Sequence, residues 1–253
     1  MRRDAAAALP PSATAQADPR QDPRAHPKDH IIRTHGRDAA GDAAFIGLNL
    51  ALWGVDAALF RASWLPGSPD ALPNVQLLLG MDLVRALRHI FWKLKIGQAV
   101  FPAPTATFVA AFNFIAATAK LWLAAHAGRR AAPETFKVVL PLAAALFALG
   151  SAVETGSELQ RRAFKKTAPK GAIYTGGLFR HARSINYTGY ITWRVGMALA
   201  TCSPWAALSP AFHAYDFGAR AVPMLEQYMS AAYGDQWKTY CTATPYRLLP
   251  CVW

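Results

Sequence analysis

The chain is poor in charge, poorer still in acid, and nearly devoid of cysteine. Charged side chains are only 17% of its 253 residues, too few for an ordinary soluble surface, whereas 53% are hydrophobic. That balance points to a membrane. The three cysteines, Cys202, Cys241 and Cys251, are odd in number and stand in no Cys-x-x-Cys or Cys/His spacing. They argue against a disulfide framework or a zinc site and read as reduced thiols, so no metal is expected. Met1 to Asp42 lacks the apolar core of a secretory signal and is rich in Ala, Pro, Asp and Arg, so residues 1–42 are expected to form a disordered cytosolic tail. No internal repeat is visible, which counts against solenoids and inverted-repeat transporters, and nothing reads as a strand.

A membrane helix needs about 20 mostly apolar residues. Ala43 to Leu65 is one such run, with Asp56 and Arg61 left to pair, snorkel or face a protein interior. Val75 to Ile96 carries Asp82, Arg85, Arg88, Lys93 and Lys95, too many charges for a lipid-facing helix, and is placed at the interface. Ala99 to Ala119 has no formal charge and continues to His126 past Lys120, which lies near enough to the end to snorkel. Val138 to Val153 is the next span. Val195 to Phe212 is interrupted by Pro204 and Pro210, making one kinked helix or a re-entrant hairpin. The expected fold is all-α and multi-span, an integral membrane protein of about four to six membrane helices. Residues 43–154 would form the N-terminal helices and 155–253 a C-terminal domain with a cofactor pocket on the cytosolic side.

That side is set by charge. Between Gly156 and Tyr190 lie Arg161, Arg162, Lys165, Lys166, Lys170, Arg180 and Arg183 against one acid, Glu158, and the positive-inside rule places this basic loop in the cytosol. Apolar spans on either side argue against a nucleic-acid partner; anionic lipid head groups or a phosphate-bearing cofactor fit better. Three clusters stand out. In Glu158-Leu159-Gln160-Arg161-Arg162-Ala163-Phe164-Lys165, Arg161 and Lys165 share a helix face, suited to clamping a phosphate or to lying against lipid head groups. In Gly176 to Tyr190, glycines allow close backbone approach, while Arg183 offers a charged fork and Asn186 an amide. His181 has no metal partners at suitable spacing. The third cluster is Glu226, then Tyr233 to Cys241 and Thr244 to Pro250, where Trp237 and Tyr240 either pack a flat ring or anchor the tail at the bilayer surface.

In combination these clusters resemble the membrane reductases that include steroid 5-alpha-reductases and the delta-14 and delta-7 sterol reductases. The isoprenylcysteine carboxyl methyltransferases and phospholipid methyltransferases share much of the same C-terminal architecture. Glu158 to Lys165 is similar to an Asp/Asn-x-Gln-Lys-x-x-Phe-Arg stretch, and Leu178 to Gly189 to an Arg-His-x-Asn-Tyr-x-Gly region. In the tail Tyr233, Gly234, Trp237, Tyr240, Cys241, Pro245, Tyr246, Arg247 and Pro250 match in register, pointing to the sterol reductase branch. The likeness covers roughly residues 150 to 253.

The resemblance implies an NADPH-dependent oxidoreductase of the endoplasmic reticulum that reduces a carbon–carbon double bond in a sterol, steroid or other isoprenoid lipid taken from the bilayer. Arg161, Lys165, Arg183, Asn186, Tyr187, Glu226, Tyr240 and Arg247 match the family's cofactor-binding positions. Ser184 replaces a histidine, Tyr190 an acidic residue and Ala232 a lysine. Losing that carboxylate leaves two alternatives, an S-adenosylmethionine-dependent methyltransferase of the isoprenylcysteine type and a catalytically degenerate member. Asp56, Asp82, Tyr187 and Tyr190 are conceivable acids, and no catalytic residue is assigned.

Overall fold

The structure, a computed structural model, describes residues 37–61, 72–97 and 100–253. The expected disordered tail lies outside the described residues as far as Gly36, as does the end of the first expected span beyond Arg61. Every regular element among the described residues is helical. In chain order these are α1 (Ala39–Arg61), α2 (Pro73–Phe91) running into a π-helical turn (Trp92–Ile96), α3 (Ala103–Gly128), α4 (Pro133–Thr167), α5 (Ile185–Ala200), α6 (Leu208–Asp216), α7 (Val222–Tyr233) and α8 (Asp235–Ala243). Short 3-10 turns precede α5 and α6 at Gly177–Arg180 and Pro204–Ala207, and a π-helical turn, Phe217–Ala221, joins α6 to α7.

The helix starts are written locally. Asp38 caps α1, its Oδ1 accepting from Gly41 N at 3.0 Å. Proline falls in the first turn of α2 and α3, where its missing N–H removes no helical bond. Among the described residues α1, α3 and α4 are long and apolar enough to cross a membrane. Their outer faces agree: Phe108, Phe112, Ile115 and Trp122 on α3, and Val138, Leu142 and Leu149 on α4, are exposed at helical spacing. Such stripes suit lipid, and the chain is an integral membrane protein of the all-helical class.

The chain divides into two compact units, one of Thr34–Leu149 with Thr192–Ala211, the other of Gly150–Ile191 with Phe212–Trp253. In the first, α2 is inside out. Asp82 and Arg85 are buried and paired through two bonds of 2.6 and 3.0 Å, while Val84, Leu87 and Phe91 are exposed. Of the charges that suggested an interfacial helix, Asp82 and Arg85 are thus turned inward, while Arg88 is half-buried and Lys95 exposed. Lys93 is likewise buried, 2.9 Å from Asp42. Lys120 does not snorkel: it is buried, and its Nζ turns back to Ala116 O at 2.9 Å, away from the nearer end of α3. This follows from the backward tilt of side chains on a helix, which leads a lysine on an inner face towards the preceding turn. The α1–α2 and α2–α3 contacts are tied by Trp53 Nε1 to Leu79 O (3.0 Å) and Asn74 Nδ2 to Ala124 O (2.9 Å).

Two sequence expectations change here. The basic segment from Gly156 is not a loop throughout, because α4 continues through Arg161, Arg162, Lys165 and Lys166 to Thr167. The stretch Val195 to Phe212 is not one kinked helix. It breaks after Ala200, with Cys202 at φ 55°, and resumes at Pro204; Arg194 Nη1 lies 3.5 Å from Ser209 Oγ across that turn.

Candidate functional site

The second unit gathers the three motif clusters. Its core is aromatic: Ile173, Trp237 and Tyr240 form one buried group, and Phe179, Ala182 and Ile185 another, with Tyr174 and Tyr246 against it. Gln160 on α4 accepts the Leu178 N–H at 2.9 Å and so fixes the 3-10 turn. Gly177 sits there at φ 56°, where a Cβ would collide with the Gln160 side chain. Tyr240 on α8 donates to Phe179 O at 2.6 Å. Burial pushes the Tyr240 hydroxyl well above its usual range, against the lowering fields of Arg183 and Arg161, so it remains a donor.

The tail is clasped to the start of α5. Arg183 N donates to Tyr246 O (2.9 Å), Ser184 N to Arg247 O (2.8 Å), and Thr188 Oγ1 to Leu248 O. Ser184, in place of a histidine, is itself buried beneath this clasp.

Two carboxylates organise the charges. Glu226 on α7 accepts from Arg183 through Oε1, at 2.5 Å from Nη2 and 3.2 Å from Nε, while its Oε2 lies 3.2 Å from Arg247 Nε. Arg183 is buried and also donates through Nη1 to Thr244 O (2.6 Å) and Pro245 O (3.0 Å), its guanidinium 5.6 Å from the centre of the Trp237 ring. Arg247 is more open, its side chain 46% exposed. The other carboxylate, Glu158, is buried on α4; its Oε2 pairs with Arg161 Nη2 at 2.5 Å and its Oε1 accepts from Asn186 Nδ2 at 3.0 Å. Tyr187 stacks on Phe217, ring centres 4.4 Å apart, and Tyr190 packs on Phe217 and His213. Cys241 is no thiolate, because burial pushes its thiol up and outweighs Arg183.

Of the eight expected site residues, five are therefore drawn into two connected sets, Arg161 and Asn186 around Glu158 and Arg183 and Arg247 on Glu226, while Tyr240 bonds Phe179 O and Tyr187 stacks on Phe217. Lys165 lies one turn beyond Arg161 on α4. Sequence reasoning missed Glu158 as a hub. The signal was present, since a lone acid among seven cations is the natural centre of an ion-pair set. The roles of Gln160, Thr188 and Phe217 had no comparable signal.

These features define a helical membrane protein whose C-terminal unit holds two carboxylate-centred ion-pair sets under an aromatic core. Residues 104–244, more than half of the chain, match the model of the DUF1295 family, described as a protein of unknown function, and the chain belongs to that family. It is 35% identical over 170 residues to the Probable O-methyltransferase ustE of Ustilaginoidea virens, an alignment covering 63% of this chain and 60% of that protein. Over 73 residues it is 29% identical to Protein-S-isoprenylcysteine O-methyltransferase B of Arabidopsis thaliana, covering 29% of this chain and 37% of that one. The fold is shared with a solved structure of the eukaryotic intramembrane Ras methyltransferase ICMT, isoprenylcysteine carboxyl methyltransferase. There the TM-score is 0.55 at 16% identity, covering 78% of this chain and 73% of the other.

The expectation of an NADPH-dependent oxidoreductase is overturned by these relatives, which are methyltransferases. The relation to the isoprenylcysteine methyltransferases holds; the sterol reductase branch in particular finds no support in these relatives. The geometry supplies the physical reason. A cofactor bearing several phosphate charges needs cations available to it, and here Arg161 is held by Glu158 and Arg183 by Glu226. Spacing makes Arg161 and Lys165 look like a phosphate clamp; the acid that pairs with Arg161, Glu158, lies one turn away.

Proposed function

We propose that the protein is an S-adenosylmethionine-dependent O-methyltransferase whose acceptor is an apolar molecule taken from the bilayer. The observation that carries this reading is the Glu226–Arg247 pair. It sets a carboxylate oxygen beside a half-exposed guanidinium, 3.2 Å apart, and so offers at one place the acceptor and the donor that an amino acid's ammonium and carboxylate require. Pairing of Arg161 and Arg183 with carboxylates also leaves less uncompensated positive charge beside a sulfonium cofactor than the bare count of cations would. The 35% identity to an O-methyltransferase supports the same reaction class.

Within this reading Arg247 and Glu226 hold the amino-acid end of the cofactor, and Arg161, Lys165, Asn186 and Tyr187 border it from α4 and α5. Arg183 and Tyr240 are positioning residues: Arg183 holds Glu226 in place, and Tyr240 holds the turn that carries Phe179. The chemistry supplied by bound S-adenosylmethionine is an electrophilic methyl group, accepted by an oxygen of the substrate. The chain's own contribution is orientation and exclusion of water by Trp237, Phe179 and Tyr246.

The test is direct. The full chain, purified in detergent, is titrated with S-adenosylmethionine, and membranes containing it are incubated with the methyl-tritiated cofactor. Saturable binding and label in the lipid or lipidated-peptide extract, both weakened at least tenfold by Arg247→Met, are expected. Absence of binding to a folded protein would sink the proposal.

A further inference from the structure

The short segment that follows Arg247 is closed on itself. Val252 N and Trp253 N each donate to Leu249 O at 3.1 Å, and Trp253 O accepts in return from Leu248 N at 2.8 Å and Leu249 N at 3.0 Å. Cys251 completes the turn in the left-handed region, at φ 63°. Leu248 is buried and its carbonyl accepts from Thr188 Oγ1, which fastens the segment to α5. These bonds bring residue 253 back beside residue 247. What they bring back is an indole.

The Trp253 ring lies over the Arg247 guanidinium, 5.8 Å from ring centre to the carbon of the guanidinium and within cation–π range. Its other contact is Gly218 in the π-helical turn Phe217–Ala221, where an added Cβ would lie 3.8 Å from two ring carbons. Burial does not account for this placement, since Trp253 stays 40% exposed while Leu248 supplies the apolar anchor at 4%. Arg247 is the residue with something to gain. Its stem is long and mobile, its Nε faces Glu226 at 3.2 Å, and its two terminal nitrogens have no partner among the described residues. A ring against the guanidinium plane restricts that motion and leaves the planar fork open to a carboxylate.

We infer that Trp253 is a positioning residue of the cofactor site: its indole holds the Arg247 guanidinium beside Glu226, so that the fork meets the carboxylate of the cofactor's amino-acid end. This role rests on the proposed S-adenosylmethionine site and concerns that end alone.

The test uses the full chain in detergent, titrated with S-adenosylmethionine and with decarboxylated S-adenosylmethionine, which lacks that carboxylate alone. Wild type is expected to bind the first more tightly. Trp253→Leu should weaken S-adenosylmethionine about three- to fivefold, the scale of one exposed cation–π contact, and leave the decarboxylated probe unchanged. Trp253→Phe keeps a ring and should stay within about twofold of wild type for both. Thermal melting checks that each variant is folded. Unaltered S-adenosylmethionine affinity in Trp253→Leu, an equal loss for both probes, or a Trp253→Phe no better than Trp253→Leu overturns the role of the ring while leaving the proposed function standing. A wild type that binds both probes equally removes the grip of Arg247 on a carboxylate and the inference with it. A wild type that binds neither removes the proposed function itself, and with it this role.

Discussion

Replacing Glu226 should cost folding stability far out of proportion to one surface acid. Its carboxylate is the partner of two guanidinium groups, and Arg183 has a side chain only 6% exposed. In Glu226→Ala, Arg183 loses its bonds of 2.5 and 3.2 Å and keeps those to Thr244 O and Pro245 O. Breaking a buried pair by removing one member costs about 3–5 kcal/mol. The retained carbonyl bonds, the Trp237 face and the 20% exposure of the Glu226 side chain place this case at about 3 kcal/mol. At about 2–4 °C per kcal/mol for a chain of this size, the unfolding temperature should fall by about 6–12 °C. Glu226→Gln keeps an acceptor and should lose only about 1–2 kcal/mol. Thermal unfolding in detergent, followed by tryptophan fluorescence, reads both. Adding Arg183→Met to Glu226→Ala should restore part of the loss, because the stranded cation disappears. Fully additive losses, or an unchanged midpoint in Glu226→Ala, would refute the pairing.

Arg247→Met should behave oppositely to the Glu226 variants: its half-exposed pair is worth less than about 1 kcal/mol to folding, yet S-adenosylmethionine affinity should drop at least tenfold, separating binding from stability by titration and melting of one preparation. Asn186→Asp places a second carboxylate where 3.0 Å now separates an amide from Glu158, and should weaken both folding and cofactor binding, whereas Asn186→Gln should spare folding more. Gly189→Ala should impair folding by about 1–3 kcal/mol, since a Cβ there would lie 2.5 Å from the Glu154 nitrogen and 2.7 Å from the Gly150 oxygen, both backbone; thermal melting checks it, and an unaltered midpoint would contradict the close α4–α5 approach. Burial raises the Tyr240 hydroxyl above its ordinary value of 10.0, so the folded state holds that proton more tightly than the unfolded one. Its contribution is complete below pH 10 and declines above it, and the stability gap between wild type and Tyr240→Phe should narrow as pH rises through that range in alkaline melts.

The membrane helices were legible because length and apolarity are enough to reveal them: the runs beginning at Ala43, Ala99 and Val138 correspond to α1, α3 and α4 at their starts within a few residues. What misled was reading charge without its partner. Lys120 and the charges of α2 suggested snorkelling and an interface, because a sequence shows that a residue is ionic but not that Asp82 faces Arg85 inside a bundle. The end of α4 is hidden in the sequence for the same reason, since lysine and arginine are good helix formers as well as common loop residues. In the site the motif residues were found because turns, aromatics and fixed spacings are local. Glu158 and Glu226 acquire their meaning only from Asn186 and Arg183, which are distant in the chain.

That distinction bears on the proposed chemistry. A count of cations between Gly156 and Tyr190 gives a surface fit for phosphates, but two of the seven, Arg161 and Arg183, are committed to the carboxylates of Glu158 and Glu226. Lys166 and Lys170 remain outside the paired sets and lie towards the end of α4 and the turn beyond it. The segment therefore has two ends of different character, a basic outer one suited to anionic head groups and an inner one whose arginines are committed to carboxylates. A sulfonium cofactor is compatible with the inner end because its positive charge is not repelled by an uncompensated cluster of arginines. If so, converting Arg161 to glutamine should leave the buried Glu158 uncompensated and make the inner site net negative. S-adenosylmethionine affinity should then be preserved or increased even as stability falls, whereas loss of affinity in step with loss of the cation would mean that Arg161 contacts a negative group of the cofactor after all.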